Sequence, residues 1–98
     1  MSVRPAAELL AQHAMHTRTL VDLLIARGQT QQAAVMARAT TIEALSSQGV
    51  AITTAREHAI ANAARFESEV ADLTGQIDAT RAQLKHLELV LDHQGDAT

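Results

Sequence analysis

Between residues 59 and 91 the apolar positions recur in alternating steps of three and four. With Val70 taken as a heptad a position, the a column reads Ala63, Val70, Ile77, Leu84 and Leu91. The d column reads Ile52, Ala59, Phe66, Leu73, Thr80 and Leu87. A 3.5-residue repeat held over about four heptads is the pattern of a helix that lays one narrow stripe against another helix. Thr80 is the hydroxyl in that stripe, and it can bond back to the carbonyl four residues earlier. Gly75 falls in the f column, away from the stripe, where its cost of roughly 1 kcal/mol relative to alanine disturbs packing least.

The first half is also helical in period but less regular. Leu10, Ala14, Val21, Leu24, Val35, Ile42 and Leu45 define a face, with Leu20 and Leu23 beside it. Gly28, Gln31 and Arg38 fall on the same face, so its centre is polar where it should pack. Pro5 fits the first turn of a helix, and Glu8 favours the same end. Gly28 reads as a helix stop and Thr30 as a new cap; Gly49 reads as a second stop. Residues 54–57, TARE, fit a capping box in which Thr54 and Glu57 satisfy each other's amides. The pattern therefore predicts helices over about 5–27, 31–47 and 54–93 in a single all-helical domain spanning 5–93, with 94–98 as a short flexible tail.

A helix of about 40 residues is about 60 Å long, while a compact domain of this chain length has a radius of gyration of only ~13 Å. The C-terminal helix cannot be enclosed by the rest of the chain as a ball. The fold class expected is all-α: an elongated antiparallel helical hairpin, or a three-helix coiled-coil bundle with a long C-terminal helix. The polar centre of the first face suggests that oligomerisation or a partner completes the core.

Composition narrows the function. Twenty alanines and a single aromatic, Phe66, imply a thin core of small side chains. The net charge of -3 and the scattered Arg18, Arg27, Arg38, Arg56, Arg65, Arg81 and Lys85 argue against nucleic acid and against an anionic membrane surface. No cysteine is present, so neither a disulfide nor a thiolate metal site is available. The N-terminal stretch carries no uninterrupted apolar core of a secretory signal, and no run approaches the ~20 residues of a membrane span. A soluble, cytoplasmic protein is expected.

Chemistry-bearing clusters are few. His13 and His16 share one side of a helix, but a metal site needs a third ligand that the sequence does not supply. Lys85, His86, Glu88, Asp92 and His93 crowd a helix end and read as a solvated face, as do Glu67 and Glu69. Ser46 and Ser47 suit a turn, and the four isolated glycines form no phosphate loop. No catalytic, cofactor-binding or metal-binding residue is assigned. The expected function is a small non-enzymatic helical interaction protein, an adaptor, chaperone or inhibitor in kind, acting by coiled-coil pairing with itself or a protein partner. Its expected helix-pairing residues are Phe66, Val70, Leu73, Ile77, Leu84, Leu87 and Leu91, with Leu20, Val21 and Leu24 opposite. The flanking e positions (Glu67, Thr74, Arg81, Glu88) and g positions (Glu69, Gln76, Gln83, Val90) favour antiparallel packing over a parallel zipper. The alternative is a nucleic-acid-associated helix-turn-helix regulator with its turn at Gly28 or Gly49.

Overall fold

The computed structural model describes residues 4–96, and the side chains of residues 6–93. The described chain is all-α and consists of two long helices, α1 (Arg4–Ser47) and α2 (Ile52–Asp96). The expected three-helix division does not occur. The helix runs unbroken through Gly28, which does not adopt the left-handed conformation of a helix stop. A lone glycine costs a helix roughly 1 kcal/mol, less than 40 residues of favourable propensity and packing return. The Thr30 hydroxyl bonds back to the Ala26 carbonyl at 3.0 Å and does not cap a new helix. With 44 residues in α1 and 45 in α2, neither helix outreaches the other, so the C-terminal one is not exceptional. The helix also continues through residues 94–96 of the expected tail; residues 97 and 98 lie outside the described chain.

One turn reverses the chain. Val50 N donates to the Leu45 carbonyl at 3.0 Å, and Gly49 N donates to the Ser46 carbonyl at 3.0 Å. This pair of bonds is a Schellman motif, which satisfies the last carbonyls of α1. It requires a left-handed residue, and Gly49 takes φ 81° there. Helix α2 then starts two residues before the expected capping box. The Ala51 carbonyl accepts from Ala55 N at 2.9 Å, so Ala51 holds the cap position and Thr54 already lies in the first turn.

The chain divides into two compact units. Unit 2, Ile25–Thr74, contains the turn and is a helical hairpin. Its inward positions on α1 are Arg27, Thr30, Ala34, Ala37, Thr41 and Leu45; on α2 they are Ala55, Ala59, Ala63, Phe66, Val70 and Leu73. Ala55, Ala59 and Ala63 are almost wholly covered. An alanine loses its exposure only when a neighbour lies directly over its Cβ, so the two backbones come close together at the turn end. The four-residue spacing of these alanines matches the step from Thr41 to Leu45 on the facing helix. Beyond Ala63 the inward positions of α2 settle into alternating steps of three and four.

Unit 1 comprises Met1–Leu24 and Gly75–Thr98. Here the seam carries larger side chains. Ile77 is completely buried, and Leu84, Leu87 and Thr80 nearly so, against Leu9, Leu20 and Leu23 of α1. The Thr80 hydroxyl donates to the Gln76 carbonyl at 2.8 Å, which keeps a polar atom satisfied inside an apolar seam.

Candidate functional surface

The expected pairing residues of α2 face inward in their own units: Phe66, Val70 and Leu73 in unit 2, and Ile77, Leu84, Leu87 and Leu91 in unit 1. On α1 the expectation is displaced by one residue. Leu20 and Leu23 turn inward, Leu24 is half-buried at the edge, and Val21 remains 48% exposed. The inward columns of α1 are therefore Ala6, His13, Leu20, Arg27, Ala34 and Thr41, with Leu9, His16, Leu23, Thr30 and Ala37. We letter these a and d.

The inward columns hold five polar side chains, and each has a place. His13 Nε2 lies 3.1 Å from Glu88 Oε1. The Arg27 guanidinium donates to Thr74 Oγ1 at 3.4 Å, and Thr41 Oγ1 accepts from Asn62 Nδ2 at 3.1 Å. Thr30 bonds back to its own helix, and His16 lines a shallow groove with Gln12, Gln83, His86 and Leu87. Polar groups at the edge of a seam cost little when paired or partly wet. The face expected from sequence has Gly28, Gln31 and Arg38 at its centre. Turning it inward would have driven Arg38 against the alanine row of α2, where Ala34 and Ala37 now fit.

The consequence is that part of the apolar face read from the sequence lies on the outside: Leu10, Ala14, Val21 and Val35 are exposed, while Leu24, Ile42 and Leu45 stay half-buried. Relative to the lettering above, Ala14, Val21, Val35 and Ile42 occupy the b column, and Leu10, Leu24 and Leu45 the e column. Leu10 is 59% exposed and Val35 64% exposed. Arg38, also in the e column, forms an ion pair with Glu67 of α2. That pair sets the local alignment of the two helices on this edge of unit 2. Ile60 is 57% exposed. In unit 2 a groove is lined by Thr40, Thr41, Ala44, Leu45, His58 and Asn62, and in unit 1 another is lined by Gln12, His16, Ala82, Gln83, His86 and Leu87. Sequence reasoning missed Ile60, Ala34 and Ala55. The four-residue spacing Ala55, Ala59, Ala63 was the available signal for the close approach.

His13 and His16 sit on one side of α1 as expected, yet they turn to different neighbours. Among the described residues no group of three or more His, Asp or Glu side chains is placed to hold a metal ion. Lys85, His86, Glu88, Asp92 and His93 are all exposed. The Arg65 guanidinium lies 4.7 Å from the Phe66 ring centroid, a cation–π contact between sequence neighbours. No described helix is long and apolar enough to cross a membrane. No protein-family model, curated protein or solved structure matches the chain.

Proposed function

We propose that this chain is a small non-enzymatic interaction protein that works by pairing an apolar helix face with a helix of another protein molecule, in the manner of a coiled coil. The observation that carries the reading is the second stripe of α1. The inward columns already use the α2 stripe, and still Leu10 and Val21 stand exposed in unit 1 and Val35 in unit 2. Scattered exposed apolar residues are ordinary, but Val35 and the half-buried Ile42 in unit 2 lie at i and i+7, a spacing that a partner helix reads. The net charge of -3 and the scattered cations support a protein partner over a nucleic acid.

A photo-crosslinking residue introduced at Val35 tests this against the same residue introduced at Gln83 in the unit 1 groove. Adducts with protein, of this chain or another, should form from position 35 in extracts of the native host and be much weaker from position 83. Equal yields from both positions, or none from either, would remove the basis of the proposal.

A further inference from the structure

We infer that the outer b and e columns of unit 2 seat a second copy of this chain across a two-fold axis, an inference that rests on the helix-pairing reading above. Three features of the face specify the occupant. Its apolar members are Val35 and the half-buried Ile42 on α1, with Ile60 and Ala64 on α2. Its centre holds one cation and one anion side by side, Arg38 and Glu67, both still substantially exposed after pairing. Glu57 sits at the turn end of the face.

A patch with one charge of each sign at its middle is complementary to itself under a two-fold rotation. The rotation brings Arg38 of one copy toward the partner's Glu67 and returns the favour on the other side, so four charges alternate in sign. The same operation, centred near Arg38, sets Ile42 against the partner's Val35. A face of uniform sign would forbid this for a chain that already carries a net charge of -3. Unrelated partners need no such internal balance, and a copy does.

Light scattering after size-exclusion chromatography of the full chain reads the result. The wild-type chain should run at twice its 10.5 kDa. Val35→Asp should halve the mass with helicity by circular dichroism unchanged. Arg38→Glu and Glu67→Arg, each alone, place like charges across the axis and should be monomeric; mixed in equal amounts, they should associate. A monomeric wild-type chain at tens of micromolar overturns the second copy as occupant, and persistent Val35 crosslinks to other proteins would then leave the broader reading standing. A dimer whose mass survives Val35→Asp, or a mixture of the two charge variants that stays monomeric, overturns this face.

Discussion

Gly49 and Gly28 are the same residue type with opposite roles. Gly49 holds a left-handed φ of 81°, where an L side chain is strained whatever space surrounds it. Gly49→Ala should lower the unfolding free energy by about 1–2 kcal/mol, read from urea or thermal denaturation. Gly28 is helical and a Cβ there meets open space, so Gly28→Ala should raise stability by roughly 1 kcal/mol in the same assay. A third residue, Ala51, caps α2 without a side-chain acceptor. Ala51→Ser or Ala51→Asp should stabilise by about 0.5–1 kcal/mol by accepting an amide of the first turn. At this scale the sequence was informative about Gly49 and misleading about Gly28. The difference is context: Gly49 is followed by Val50, whose amide reaches back to Leu45, whereas nothing after Gly28 completes a stop.

Two helices of nearly equal length pack with different side chains in the two units. Around the turn the seam is alanine; in unit 1 it is isoleucine and leucine. Ile77→Ala removes a wholly buried side chain and should cost about 2–5 kcal/mol. Ala59→Leu is the converse, since a larger side chain has no room under the facing helix; overpacking should cost about 1–3 kcal/mol. Chemical denaturation of both variants separates the two mechanisms from a surface control such as Gln83→Ser. The α2 stripe was legible from sequence because its apolar residues are large and strictly periodic. The α1 face was not. His13, His16, Arg27, Thr30 and Thr41 hide the inward columns from a reading based on hydrophobicity, and the hydrogen bonds of His13 with Glu88, Arg27 with Thr74 and Thr41 with Asn62 are tertiary facts. Periodicity alone could not choose between two faces about 100° apart on the helix.

For the molecule as a whole, the all-α class and the single chain reversal follow from the residues, while the number of helices turned on one weak glycine. What the surface does with its apolar row depends on concentration. If a second copy covers it, binding favours the folded state by mass action. The thermal midpoint of the wild-type chain should then rise with protein concentration, and that dependence should vanish in Val35→Asp. Scanning calorimetry over a hundredfold range of concentration checks this.

The Schellman turn at Gly49 also bears on how the chain avoids entangling with its neighbours. A short, sharply bent link returns α2 to its own α1 before a neighbouring molecule can intervene. Were the left-handed residue replaced by one that prefers to stay helical, the two arms could straighten into one continuous rod. Their inner stripes would then be satisfied only by exchange, each molecule lending an arm to the next, as in domain swapping.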